Sequence, residues 1–282
     1  MSGSTRTDEF DSGIASANGA ELYYELRGSG PTLVLIPGAS GDAGMFSRAA
    51  DELARDFRVL TYDRRGNSRS VAPEGWDTTT VEEQAADVAA LIAALDLGPA
   101  FVFGNSSGAT IALGVALRHP EVLRAVVAHE PPKIGTLPNR DEFLAGLVAR
   151  MRAAIDRGGY AAAVEDFHGW LVGEGEEDQP ELRARVQGNG ENWIERELGV
   201  IDRYDPAAEL IAERTAPLTV GIGTAGGTEL HTELLATYRA ALVALAAQYG
   251  AEFAEFSGAH VPYETMPAVF AAELTAVLRA MA

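Results

Sequence analysis

The chain has 282 residues, 47% of them hydrophobic, and a formal net charge of −19. That is enough chain for a large domain with a real core, and so acidic a surface argues against nucleic acid and anionic membrane as partners. No cysteine is present, which excludes disulfides, thiol catalysis and cysteine-ligated metals.

The opening stretch MSGSTRTDEFDSGIASANG has no apolar core of the kind a secretory signal needs, and no run of about 18 apolar residues follows that could span a membrane. The expected location is the cytoplasm. After a polar tail, SGIASANGAELYYEL places Asn18-Gly19 between two extended stretches. Both residues tolerate positive φ, so a type I′ hairpin is expected there.

Strands and helices then alternate. TLVLIP (32–37) is an apolar run suited to a buried strand, MFSRAADELARDF (45–57) has helical spacing, and FRVLTYD (57–63) reads as a strand. Thr80-Val81-Glu82-Glu83 has the form of a capping box opening a helix that Gly98 closes. AFVFGN (100–105) is a strand, a helix runs from Ser107 to about His119, and RAVVAHE (124–130) is another strand. Repeated strand–helix alternation implies parallel strands with helical crossovers, hence an α/β sheet.

The rhythm breaks over 134–214, which reads as helices and loops without a clear strand, including a polar loop GEGEEDQP at 173–180. It resumes with LTVGIG (218–223), ELLATYRAALVALAAQY, EFAEFSG (252–258) and PAVFAAELTAVLRAM. The expected organisation is an α/β core (1–133 and 215–282) interrupted by a helical cap (134–214).

Gly104-Asn105-Ser106-Ser107-Gly108 is a G-x-S-x-G between a strand and a helix. In that context Ser106 would sit on a sharp, strained turn, with glycines where strand and helix crowd together and a helix N-terminus beneath the hydroxyl. The bland alternative is a Gly/Ser-rich turn without chemistry. Gly38-Ala39-Ser40-Gly41 follows an early strand, where hydrolases with such an elbow take one oxyanion N–H, the other coming from the residue after the nucleophile. The expected donors are the N–H groups of Ala39 and Ser107.

Five histidines could serve as base. His260, after the last strand, lies on a loop able to bring its imidazole over Ser106; His119, His129, His168 and His231 fall in or beside other elements. The acid must lie near that imidazole, at the C-terminal edge of the sheet. Glu229 follows LTVGIG but stands six residues beyond Gly223, whereas Glu130 ends RAVVAHE directly before Pro131-Pro132. Position favours Glu130 and leaves Glu229 open.

Taken together, ELYYELRGSGP, FRVLTYDRRGNSRS, GNSSGAT, AHEPPK and GAHVPYETMPAVF make the chain resemble the α/β-hydrolases over nearly its whole length, and among them the zearalenone lactonases. The resemblance implies a mostly parallel central sheet with flanking helices and an inserted helical cap. It implies the triad Ser106, His260 and Glu130, the last being a Glu at the end of the sixth strand, and oxyanion donors on Ala39 and Ser107. Substrate contacts would fall on Gly38, Trp193 and Val261. The chain departs from the family in having Gly38-Ala39 where members carry Asp-Gly, and Val261 where they carry an aromatic residue.

The expected reaction is hydrolysis of a carboxylic ester, foremost a lactone of the resorcylic macrolactone type. Ser106 would attack the carbonyl as His260 takes its proton, and water would release the acyl-enzyme. By the resemblance, a resorcylic acid product would then lose CO₂. No metal or organic cofactor is called for. The substrate pocket should lie between core and insertion, where Phe167, Trp170, Trp193 and Tyr204 are apolar enough to line it or simply to pack. Other reactions on the same fold (general ester, C–C or perhydrolytic cleavage) and a ligand-binding or signalling role remain open alternatives. The sequence sets no oligomeric state, and a homodimer is compatible with it.

Overall fold

The computed structural model describes residues 10–39, 41–133, 139–171, 179–201, 203–225 and 229–282; in the helix that begins at Glu229 the side chains of 229–234 and 236 are outside that description. Eight strands form one sheet in the order β1-β2-β4-β3-β5-β6-β7-β8. The strands are β1 (Asp11–Ala17), β2 (Ala20–Arg27), β3 (Thr32–Ile36), β4 (Arg58–Tyr62), β5 (Ala100–Asn105), β6 (Leu123–His129), β7 (Leu218–Gly223) and β8 (Glu252–Phe256). β1 and β2 pair antiparallel, as do β2 and β4, while β3 to β8 run parallel. The first hairpin turns on Asn18 and Gly19, whose φ values of 47° and 76° are those of a type I′ turn.

Alternation within the strands builds two cores. Val34, Ile36, Val102, Val126 and Val220 point to one face, where they meet α2 (Val81–Ala94), α3 (Ser107–Arg118) and α9 (Glu229–Tyr249). Leu33, Leu35, Phe101, Phe103 and Val127 point to the other, against α1 (Ser47–Leu53) and α11 (Pro267–Ala280). Because helices cover both faces, the parallel strands are apolar on both, which is why they read as continuous hydrophobic runs.

Two local expectations differ in detail. The stretch 45–57 is a 3-10 turn (Ala43–Phe46) followed by the short α1, because Asp42 rather than Met45 starts it: its carboxylate accepts the Gly44 N–H at 2.7 Å. At α2, Thr80 Oγ1 accepts the Glu83 N–H at 3.0 Å, but Glu83 does not reach back to complete the capping box. Its carboxylate is taken by Trp76 Nε1 at 3.0 Å and Thr79 Oγ1 at 2.9 Å.

Between β6 and β7 the described elements are helical. α4 (Arg140–Leu171) breaks at Gly158 and Gly159, the second with φ 73°. α5 (Pro180–Gly188) follows, then α6 (Gly190–Asn192), a π-helical turn (Trp193–Glu197) and α7 (Leu198–Ile201) in continuous succession, and α8 (Ala208–Ala212). Most of the polar loop expected at 173–180 lies outside the described residues, and Pro180 already opens α5. α10 (Pro262–Thr265) lies between β8 and α11. Among the described residues no helix is long and apolar enough to cross a membrane.

Candidate active site

The elbow joins β5 to α3. Ser106 has φ 55° and ψ −125°, a conformation that costs a non-glycine residue free energy and that its surroundings must enforce. They do so by crowding. A Cβ on Gly104 would stand 2.1 Å from the Gly108 carbonyl oxygen, and one on Gly108 2.2 Å from that of Ile36. The Ser106 N–H is anchored on the His129 carbonyl at 2.9 Å, across the β5–β6 pair. Ser107 is the first residue of α3, so its N–H has no carbonyl one turn back to receive it.

The loop after β3 closes against this elbow. A Cβ on Gly38 would lie 3.1 Å from both the Asn105 carbonyl oxygen and Ser106 Cβ, and 3.8 Å from Ser106 Oγ. Gly38 and Ala39 therefore stand beside the serine. Ser40 is outside the described residues.

Glu130 follows β6 with φ 50°, and its N–H bonds the Gly221 carbonyl at 2.9 Å. The turn drives its side chain into the protein, where it is fully buried. One carboxylate oxygen accepts the Gly223 N–H at 2.8 Å and the other meets His260 Nδ1 at 2.5 Å. Gly223 is also where the histidine loop crosses: a Cβ there would meet the carbonyl oxygens of Gly258 and Ala259 at 2.7 and 2.8 Å. Burial works against ionisation of Glu130, but the hydrogen bond and charge of His260, with lesser help from His129 and the Gly223 N–H, pull its pKa down to about 2. It is a carboxylate across the neutral range. Glu229, expected in the loop after β7, is instead the first residue of α9. The helix starts earlier than the apolar spacing suggested; the side chain lies outside the described residues.

A cleft with about 510 Å³ of empty space, part of it open to solvent, lies between the sheet edge and the insertion. Gly38, Ala39, Asn105, His260 and Val261 line it from the core, Val164, Phe167, His168 and Trp193 from the insertion. Trp193 is buried and packs on Phe167 with ring centroids 4.7 Å apart. Trp170 packs on Phe167 with ring centroids 5.8 Å apart and is not among the residues that line the cleft, and Tyr204 packs instead against the larger core of the sheet. A polar residue that the sequence did not point to, Glu264, also lines it. Glu264 lies in the short α10 that follows the histidine loop, and nothing in its local sequence flags it. Its Oε2 lies 4.0 Å from His168 Nε2, and its buried Oε1 has no hydrogen-bond partner among the described residues. Burial, only partly offset by Arg48, raises its pKa to about 8.

The structure thus brings a strand–elbow–helix serine, a glycine loop beside it and a buried carboxylate–imidazole pair to one edge of the sheet. Residues 31–179 match the model of the alpha/beta hydrolase fold family. The chain belongs to that family. The hydrolase is 33% identical over 261 residues to a Bacillus subtilis protein described as an uncharacterized hydrolase, YraK, with 90% of each chain covered. It is 31% identical over 268 residues to a zearalenone hydrolase of Bionectria ochroleuca, covering 92% of this chain and 94% of that one. Among solved structures, a hydrolase from Pseudomonas aeruginosa PA01 superposes with a TM-score of 0.71 at 23% identity, covering 97% and 99% of the two chains.

Proposed function

We propose that the hydrolase cleaves a carboxylic ester, foremost a lactone of the zearalenone type, through an acyl-enzyme on Ser106. The observation that carries this reading is the buried Glu130–His260 pair set at the sheet edge that also bears the Ser106 elbow. With Glu130 ionised and bound to Nδ1, His260 presents Nε2 as the basic nitrogen. His260 takes the Ser106 proton as Oγ attacks the carbonyl carbon. The carbonyl becomes an oxyanion that the Ala39 and Ser107 N–H groups receive, each such donor being worth roughly 3–4 kcal/mol of barrier. The tetrahedral intermediate expels the alkoxide, which takes the proton from His260. In a lactone the alcohol stays tethered to the acyl group. Water, deprotonated by His260, then attacks the acyl carbon, and Ser106 leaves with its proton restored.

Support for the substrate class comes from the zearalenone hydrolase relative and from the apolar cleft, in which Phe167 and Trp193 would face a large ring. The insertion acts as a cap over that ring. A second reading keeps the chemistry and changes the ester: the likeness to the Bacillus subtilis hydrolase is as strong, and Gly38-Ala39 and Val261 differ from the lactonase pattern. Incubation with zearalenone, followed by mass spectrometry, tests the proposal. Ring opening by the wild type and not by Ser106→Ala, seen as addition of one water or as that product less CO₂, supports it. An intact lactone, alongside Ser106-dependent cleavage of simple aryl esters, would transfer the assignment to another ester.

A further inference from the structure

We propose that Arg64 and Glu197 form a positioning pair that fixes the Gly38–Ala39 peptide, so that the docked insertion holds the Ala39 N–H toward the reacting carbonyl. The inference rests on the reading of Ala39 as an oxyanion donor and adds to it the residues that aim the donor.

The geometry begins at the Gly38 carbonyl. Its oxygen accepts the Gly41 N–H at 3.0 Å and Arg64 Nη2 at 2.9 Å. That oxygen and the Ala39 N–H belong to one peptide unit. No cis peptide bond occurs among the described residues, and in a trans unit the two groups point in opposite directions. Holding the oxygen on Arg64 therefore turns the Ala39 N–H to the far side. Gly38 stands against Ser106, and Gly38, Ala39 and His260 line the cleft, so the far side is the side of the chemistry. A reversed peptide would aim a carbonyl oxygen at the developing oxyanion and repel it.

Arg64 reaches this carbonyl from a costly position. Its side chain and that of Glu197 are wholly buried, joined at 2.7 Å. Nη1 donates to Gln84 Oε1 at 2.7 Å, while Nε has no acceptor among the described residues. A buried ion pair is a poor device for stability, since apolar side chains could join the same surfaces at no electrostatic cost. What it supplies is one nitrogen, Nη2, that donates to both the carboxylate and the carbonyl while Nη1 on Gln84 fixes the plane of the guanidinium, an orientation that a lysine does not reproduce. The second Glu197 oxygen accepts the side-chain amides of Asn192 at 3.2 Å and Asn67 at 3.3 Å, so the carboxylate is itself fixed.

Glu197 ends the π-helical turn that begins with Trp193, a residue of the cleft wall. One turn of the insertion thus carries both a wall of the cleft and the anchor of the oxyanion peptide. The insertion has other ties to the core: Arg185 Nε to Asp42 at 2.7 Å and Asn189 Nδ2 to Ser68 Oγ at 2.8 Å. Loss of the Arg64–Glu197 pair should leave it docked, which separates aiming the donor from closing the cleft.

The test uses Glu197→Gln, Arg64→Met and Arg64→Lys in the full chain, with Ser106→Ala as reference. The measurements are thermal melting, steady-state hydrolysis of p-nitrophenyl acetate, and inhibition by phenylboronic acid, which adds Ser106 Oγ to give a tetrahedral anion. With Ser106→Ala inert, kcat should fall about tenfold to a thousandfold in Glu197→Gln and Arg64→Met, with KM within about twofold. Boronate affinity should fall in step with kcat, and Arg64→Lys should recover only part of the loss. A rise in KM at unchanged kcat, or a fall in kcat at unchanged boronate affinity, would overturn the positioning role while leaving the Ser106 mechanism intact. Undiminished activity in Ser106→Ala would remove the underlying reading, and the inference with it. Should Arg64→Met fail to fold, the isosteric Glu197→Gln decides on the same criteria.

Discussion

Gly38 is packed face to face with Ser106, close enough that a single added carbon would stand 3.1 Å from Ser106 Cβ and 3.8 Å from its hydroxyl oxygen. The backbone of the glycine loop is thereby brought within reach of any group bonded to the serine. Gly38→Ala should lower kcat modestly and Gly38→Val by about a hundredfold, because displacement by an ångström is enough to spoil alignment. Steady-state kinetics and a melting curve on each variant check this; a strong loss of stability with kcat intact in the folded fraction would contradict it.

Glu130→Gln should keep a side-chain oxygen for the Gly223 N–H but deprive His260 of its anionic partner. The expected fall in kcat is on the order of a thousandfold or more, the scale seen when a triad acid becomes an amide. Glu229→Gln should change kcat little. The reverse ranking in parallel assays would move the acid to α9.

Acid stability should follow Glu130. Its carboxyl is held at about 2 in the folded protein against an ordinary value of 4.5. Between those two pH values the unfolded chain binds the proton and the folded one does not, so stability falls as the pH drops through that window. The contribution is complete above the unfolded value and lost below the folded one. Urea titrations of wild type and Glu130→Gln between pH 2 and 6 should show a steeper acid loss in the wild type.

Glu264 should act with the opposite sign. Its pKa of about 8 lies above its ordinary 4.5. Over that interval the folded state keeps a proton that the unfolded state has released, so its contribution declines as pH rises from 4.5 through 8 and is flat beyond. Glu264→Gln, which cannot ionise, should gain stability relative to the wild type across the same interval. Parallel pH dependences of the two proteins would show that the carboxyl is not held in its acid form.

Most of the sheet was legible because its parallel strands are buried on both faces and announce themselves as apolar runs: AFVFGN and LTVGIG coincide with β5 and β7. The elbow was legible because strand, glycines and helix are local in sequence. What lay beyond reach was set by distant partners. Nothing near Glu83 signals that Trp76 will take its carboxylate, and nothing near Arg64 signals Glu197, 133 residues away. The start of α9 at Glu229 was hidden because its first turn lacks the apolar spacing of the rest. Tyr204 looked apolar enough for the cleft, yet composition alone does not tell which of two cores an aromatic side chain will join.

The proposed mechanism makes Ser106 a nucleophile activated by His260 and Glu130. It is tested most directly by treating the protein with a fluorophosphonate, which a serine alkoxide attacks at phosphorus with loss of fluoride, and mapping the adduct by peptide mass spectrometry. A single phosphonylated peptide containing Ser106, formed rapidly by the wild type and far more slowly by His260→Ala and Glu130→Gln, is the predicted result. No adduct, an adduct on another residue, or equal rates in the three proteins would contradict it.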